Sequence, residues 1–561
     1  MEKRTFAEQK HDIMTKNPLK QLAGETAVYG LSTILARIIN FLFVPFYTRL
    51  LTTASYGVVT EFMAYIAVLQ VVLTMGLETG CFRFANKEGI NPTKVYSSAL
   101  AMVSGVSFAF LALMIVFAKP IAGLLGYDGY SSCIAYMGGI LAADSITAIL
   151  FAKLRQEHKA VKFAVFKTVK ILVETGANIL LFFPFVSFCT SKAASLGIEP
   201  SALTAKDVWL LHFVSPTPDF SYVIFAILLS CIVCALLFIP DLLRLNLRVD
   251  GKLLKQMLAY SLPLMVAALP GIINDFVDRL LFRFLDKSAD AWQSSLGIFQ
   301  AAVKLSVIMN LFIQMFRFAA EPFFFQRSKD KNSKELYATV MEWFTAFCGL
   351  VFLGVIFYID IISLLLGRDF RGGVGVVPIM LFSYMMLGML FNVSMWYKLS
   401  GKTNMAIWIT SAGLVVTVIV NLLFMPHYSY WAAAFGHLAS YVVMFVISAV
   451  LGQKHYPIPY RWGRLAGLLC LMFGIYGIAA VGDHELFHFA GWDLDRGLLW
   501  WKLGVHTVLI AIYAVAAVSI VRGGRHTDEM PDNDGTALSG SGHSGNLSQA
   551  EKAVEEIATN E

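Results

Sequence analysis

Charge is scarce in this chain of 561 residues: 15% are Asp, Glu, Lys or Arg, 57% are hydrophobic, and the mean hydropathy is +0.66. That excludes a water-soluble domain, because the apolar surface exceeds what a fold of this length can hide from water. Cysteine is scarce too. Cys81, Cys133, Cys189, Cys231, Cys234, Cys348 and Cys470 mostly fall in or beside apolar runs without an even-numbered framework in the outer loops, so no disulfide scaffold is expected. Cys231 and Cys234 form a C-x-x-C in an apolar helix without a thioredoxin-like context and read as packing. No G-x-x-x-x-G-K-[ST] loop or other phosphate cradle occurs, Arg371-Gly372-Gly373-Val374-Gly375 reads as an outer turn, and neither ATP hydrolysis nor a cofactor is expected. The polar first twenty residues precede an apolar run too long for a signal-peptide core, which is expected to remain as an uncleaved anchor. The net charge of +6 sits in loops flanking apolar runs, not in one patch with interleaved aromatics, which argues against nucleic acid.

What the chain does have is long apolar runs. A hydrocarbon core about 30 Å thick takes roughly 20 helical residues to span, and about 14 stretches are long enough. They lie near 26–48, 57–79, 96–118, 131–152, 164–187, 221–240, 256–280, 295–317, 337–359, 374–397, 405–425, 430–452, 463–482 and 500–521. The expected fold class is therefore all-α, a polytopic membrane protein with about 14 transmembrane helices. Of the 44 Lys and Arg, 28 fall on the side of the N-terminus and 10 on the other; five (Arg37, Lys167, Lys170, Arg279, Lys304) lie inside spans and one in the tail. The basic side is expected to be cytoplasmic, with both termini on it. From 523 onward Gly, Ser, Asn and acidic residues predict a disordered cytoplasmic tail, 523–561.

Two halves overlay. Lys20-Gln21-Leu22, Arg37-Ile38-Ile39-Asn40 and Thr48-Arg49-Leu50-Leu51 recur in order as Lys255-Gln256-Met257, Gly271-Ile272-Ile273-Asn274 and Asp278-Arg279-Leu280-Leu281. Six spans precede the second copy and six follow to about 452, so the halves are expected to be parallel repeats: a lobe at 1–250, a lobe at 251–455, and an accessory pair of spans at 456–522. A cavity between such lobes, exposed alternately to either side, is a transport mechanism.

Several stretches carry a family resemblance. These are Tyr29-Gly30-Leu31-Ser32 through Pro45-Phe46-Tyr47-Thr48-Arg49-Leu50-Leu51 and Tyr56-Gly57-Val58; Ala320-Glu321-Pro322-Phe323-Phe324; Gly367-Arg368-Asp369-Phe370 leading to Val377-Pro378; and Gly401-Lys402-Thr403 through Asn421-Leu422-Leu423, Pro426-His427-Tyr428 and Trp431-Ala432-Ala433-Ala434. Over about 20–455 the chain resembles a polysaccharide-biosynthesis flippase of the Wzx type, in the MATE/MOP superfamily that also holds MATE drug exporters and lipid II flippases. Ser429 and Trp431 depart from it, standing at a turn where many relatives have glycines. The outer segment 188–220 also has no assigned role. The resemblance implies a transporter, not an enzyme, that carries a polyprenyl-diphosphate-linked oligosaccharide across the inner membrane for cell-surface polysaccharide such as the O-antigen of lipopolysaccharide. The implied partners are that lipid, the bilayer, and a polysaccharide polymerase with other assembly proteins.

Intramembrane charges are the local candidates, since an ionised side chain at mid-depth costs about 2.5–3.5 kcal/mol unless it meets a partner or water. Lys167, Lys170, Glu174 and Asn178 fall on one helical face of the fifth span. Asn274, Asp275, Asp278, Arg279 and Arg283 cluster in the seventh beyond Pro263 and Pro270, which can kink it and free carbonyls. The eighth adds Gln300, Lys304, Asn310 and Gln314; Arg37 and Asn40 lie in the first. Arg37, Asn40, Lys167, Lys170, Glu174, Asp275, Asp278, Arg279 and Lys304 are thus candidates for a net-positive cavity that suits a diphosphate, with Glu61, Asp144 and Glu174 as candidates for ion coupling. The alternative is neutralisation within a helix, Asp275 with Arg279 and Lys170 with Glu174 at i,i+4.

One catalytic motif occurs: His484-Glu485-Leu486-Phe487-His488 matches the H-E-x-x-H of zinc proteases. Gly491 extends it, but Leu494 stands where a third ligand would follow, and no metal site is expected. Other readings are a MATE-like cation-coupled drug exporter, which should prefer an acidic cavity, and an O-antigen polymerase or ligase, which should carry catalytic residues on large outer loops.

Overall fold

A computed structural model of the chain describes residues 30, 34–35, 37–243, 249–287, 292–328, 330, 332–488 and 496–523. All regular structure among them is helical, and 13 helices are long and apolar enough to cross a bilayer. The first part of the predicted first span lies mostly outside the described residues; the span ends in a helical stretch at 37–42 and then Val44–Leu50 (α1). The others follow one for one: Thr53–Thr74 (α2), Pro92–Val116 (α3), Ser131–Gln156 (α4), Ala160–Leu180 (α5), Phe220–Leu237 (α6), Gly251–Leu285 (α7), Trp292–Arg327 (α8), Ser333–Phe357 (α9), Val377–Val393 (α10), Met405–Tyr428 (α11), Tyr430–His455 (α12), Trp462–His488 (α13) and Arg496–Gly523 (α14). The helix α7 runs unbroken from Gly251 to Leu285 with Pro263 and Pro270 inside it.

The helices of the two halves pair in the same order. Within the first half α4 packs against α2, α3 and α6, and α6 against α5; within the second α10 packs against α8, α9 and α12, and α12 against α11. Each pairing has a counterpart six helices later. Helix α7 belongs to both sets, touching α11 on one side and α2 and α3 on the other.

The accessory helices are clamped to α9 at three heights. Near the basic face Arg461 and Arg464 reach the buried Glu342 at 3.4 and 3.6 Å. Midway, Tyr513 Oη donates to the Ala346 carbonyl at 3.0 Å. At the far face Lys502 bridges Asp360 and Asp483 at 2.8 and 3.3 Å. The segment at 188–220 is ordered by the same kind of anchoring. A π-helical turn at Leu181–Phe185 containing Pro184 carries α5 on into the helix Val186–Leu196. The chain then folds back over the lobe, its Phe213 and Ser215 carbonyls accepting from Tyr136 and Tyr222 at 2.8 and 2.9 Å. Asp219 then caps α6 through the Ser221 N–H, 2.8 Å away. The side chains of 484–488, and with them the H-E-x-x-H motif, lie outside the described residues, as do 1–20 and the tail.

Candidate functional site

The seam between the lobes is built by α1 and α2 on one side and α7 and α8 on the other. At the far face it is shut. A Cβ on Gly57 would lie 1.9 Å from the Gln293 carbonyl oxygen, and one on Gly297 1.9 Å from that of Thr53, so only glycine lets α2 and α8 cross this closely. Thr53 and Ser294 hydrogen-bond across the crossing at 3.1 Å, and Thr48 Oγ1 accepts from the Gly367 N–H at 3.0 Å. Deeper in the seam is the interlobe ion pair: Arg283 presents Nε and Nη2 to the two oxygens of Glu61, each at 2.8 Å, and donates through Nη1 to the Leu125 carbonyl at 2.5 Å. Tyr65 and Tyr127 donate to the same carboxylate. Glu61 is fully buried, so this bidentate arrangement supplies the partners that a desolvated charge requires. At the basic face, among the described residues, no ion pair joins the first lobe to α8–α12.

Below the closed end lie three cations from three helices. Lys304 on α8 stands within electrostatic reach of both Arg279 on α7 and Arg37. Tyr384 of α10 is near Arg37 and Arg279. Lys304 is twelve residues from the start of α8, about 18 Å at 1.5 Å per residue, near mid-membrane. Among the described residues none of the three has an ion-pair partner, and Arg279 Nε is buried without an acceptor, its guanidinium lying 4.7 Å over Phe276. Helix α7 carries Asp275 one turn earlier, but its carboxylate accepts from Tyr441 on α12 at 2.9 Å, and the alternative i,i+4 ion pair with Arg279 is not made. Asp278 instead approaches His437, 3.3 Å away on α12, while Asn274 accepts from Thr417 and Ser440 at 2.7 and 3.0 Å. Asn40 is exposed.

The candidates of the fifth span fall elsewhere. Lys170 pairs with Asp144 on α4 at 2.5 Å rather than with Glu174, and Lys167 lies 4.3 Å over the Phe151 ring, also on α4. Both lysines therefore point into the first lobe. Glu174 makes no ion pair among the described residues and lies near Tyr47 of α1. Sequence reasoning missed His437, Tyr384, Tyr441 and Glu342. A histidine within the apolar run of α12 was the available signal, because any intramembrane ionisable group is a functional candidate.

Comparison with known proteins bears on this geometry. Residues 22–196 match the family described as polysaccharide biosynthesis protein. No curated protein matches. Among solved structures the chain is similar to the lipid II flippase MurJ in an inward closed conformation, at 15% identity and a TM-score of 0.62, over 89% of this chain and 99% of that one. It is also similar to the MATE multidrug transporter DinF-BH, at 15% identity and a TM-score of 0.49, over 79% and 97%. The family match thus lies on residues 22–196, and the likeness to the MurJ structure, at 15% identity, is a likeness of fold.

Proposed function

We propose that the chain moves a polyprenyl-diphosphate-linked oligosaccharide from the inner to the outer leaflet of the cytoplasmic membrane, as a transporter and not an enzyme, with its basic face and both termini in the cytoplasm. The observation that carries this is the seam triad of Arg37, Arg279 and Lys304, three cations that form no ion pair among the described residues, while Asp275 and Asp278, close to Arg279, are turned to Tyr441 and His437. Each unpaired intramembrane cation costs about 2.5–3.5 kcal/mol unless water or an anion attends it, so the triad is a site that wants an anion. A diphosphate provides one, with acceptors matched to the guanidinium fork. The sugars would travel in the same polar seam while the prenyl chain stays in lipid. With the far face shut by Glu61 and Arg283, loading is from the cytoplasmic side. The unpaired triad also argues against a cation exporter. The proposed setting is O-antigen and lipopolysaccharide assembly, with a polymerase downstream; the family description supports polysaccharide biosynthesis at large.

The test is flipping of a lipid-diphosphate oligosaccharide by the full-length protein in vesicles. Arg37→Ala and Lys304→Ala should impair it at normal membrane abundance, and Arg37→Lys should keep part of the rate, because charge survives while the fork is lost. Parent rates in both alanine variants, singly and together, would overturn the reading.

A further inference from the structure

Helix α7 carries two arginines toward the seam one turn apart, and their surroundings are opposite. Arg279 makes no ion pair among the described residues, while the carboxylates of Asp275 and Asp278 close to it turn to Tyr441 and His437 of α12. Arg283 is fully engaged. Both oxygens of Glu61 and the Leu125 carbonyl accept from it, and its guanidinium lies 5.0 Å over the Tyr127 ring and 4.5 Å over that of Trp292, the first residue of α8. Residues four apart on a helix share a face, with Cβ atoms about 5–6 Å apart, so Arg283 is the next rung above Arg279 on the way to the far face. Glu61 does not depend on Arg283 alone, since Tyr65 donates to it at 3.0 Å and Tyr127 donates as well.

We infer that Arg283 is the second half of the headgroup site, and that an anion reaching it from Arg279 unlatches the far face. The inference rests on the proposed function for the identity of that anion, a lipid-linked diphosphate. A diphosphate that joins a prenyl chain to a sugar carries a negative charge on each of its phosphates, whereas a monophosphate in the same place carries a single one. A single charge among Arg37, Arg279 and Lys304 leaves nothing for Arg283, which then stays on Glu61. A second charge one turn higher offers the guanidinium a bidentate acceptor in place of the carboxylate. When Arg283 moves to that phosphate, Glu61 keeps its tyrosine donors but loses its cation, and a carboxylate left so in a dry site is costly. Parting of the far half of the seam relieves this by bringing water to it. Loading with a diphosphate thus opens the far end, and a protein that is empty or holds a monophosphate keeps it shut.

The test uses the full-length protein with Ser294→Cys at the crossing of α2 and α8, in nanodiscs whose two faces both meet the buffer, and reads the reaction of that cysteine with an impermeant thiol reagent. Saturating farnesyl-diphosphate-N-acetylglucosamine should speed the reaction about tenfold or more, and farnesyl-phosphate-N-acetylglucosamine should leave it within about twofold of the empty protein. Arg279→Gln keeps the latch and removes the lower rung, so it should bring the diphosphate rate close to the empty one. Glu61→Gln/Arg283→Gln removes the latch without stranding a charge, and should react fast with either lipid or with none. Equal acceleration by the two lipids, no acceleration by the diphosphate, or the full effect persisting in Arg279→Gln overturns the inference. In vesicles the parent should flip the diphosphate lipid roughly 10- to 100-fold faster than the monophosphate lipid, and the double variant should flip the two within a few fold of each other. A parent unlatched by the diphosphate lipid that flips no lipid-linked oligosaccharide overturns the substrate reading and leaves the role of Arg283 standing. A parent that flips both lipids at one rate overturns the role of Arg283 and leaves the transporter reading standing.

Discussion

The two lobes share a packing pattern and differ in what they do with charge. In the first lobe Lys170 on α5 meets Asp144 on α4, and Lys167 lies over Phe151, so its buried cations are attended from within. In the second, α7 and α8 place Arg279 and Lys304 toward the seam without an ion pair among the described residues, while Asp275 and Asp278, close to Arg279, turn to Tyr441 and His437 of α12. Twofold repetition preserves helix pairings because these depend on apolar shape. It does not preserve charge pairing, which depends on single side chains. The difference suggests a division of labour: the first lobe is a neutralised support, and the second, with Arg37 reaching over to it, holds the cations that a substrate can satisfy.

The contrast breaks most visibly at the interlobe pair. Arg283→Ala leaves the desolvated Glu61 with its two tyrosine donors but no cation, and removing one member of a buried pair costs about 3–5 kcal/mol. Folded protein should fall sharply in abundance and in thermal midpoint, while Glu61→Gln/Arg283→Gln should recover much of both. A cysteine at Ser294 in that double variant should then react with an impermeant thiol reagent from outside. A seam that stays unreactive would show that the glycine crossing alone holds it shut.

Next in size is the triad. Arg279→Gln and Lys304→Gln should each slow flipping by roughly 10- to 100-fold, since a hydrogen bond to a charged group is worth about 1.5–3 kcal/mol. Asp275 keeps Tyr441 in the arginine variant, so abundance should hold. The matching change in the first lobe, Asp144→Asn/Lys170→Gln, should leave flipping within a few fold of the parent. If that double variant abolishes flipping at normal abundance, the two lobes do not divide the work as argued.

The spans were legible because hydrophobic length is a direct physical requirement of the bilayer, and 13 of them reappear in order. The seam cations were legible as intramembrane charges. Their partners were not. Spacing of i,i+4 suggested Asp275 with Arg279 and Lys170 with Glu174, but tertiary neighbours claimed Asp275 and Lys170 first, from α12 and α4. Local spacing shows which groups can meet, while which of them do meet depends on what the neighbouring helices offer. His437 was passed over for the same reason: alone in an apolar run it looks like packing until Asp278 is seen across from it.

The smallest predicted effect concerns the turn that joins α11 to α12 beside the unsatisfied cluster. Ser429 has φ +48° and ψ −126°, a backbone region that glycine visits freely and other residues rarely do. Its hydroxyl donates to Asp286 at 2.9 Å, tying this turn to the end of α7. Ser429→Gly removes a backbone cost of about 1–3 kcal/mol and gives up a hydrogen bond worth a similar amount to a charged group. The two should nearly cancel, with the thermal midpoint moving little. Ser429→Ala loses the bond and keeps the strain, so it should melt below both. Flipping should change little in the glycine variant, because Asp286 lies beyond the Glu61–Arg283 closure. If alanine proves as stable as serine, the hydroxyl is not what holds that backbone in place, and the departure from glycine at this turn has no account in the contact to Asp286.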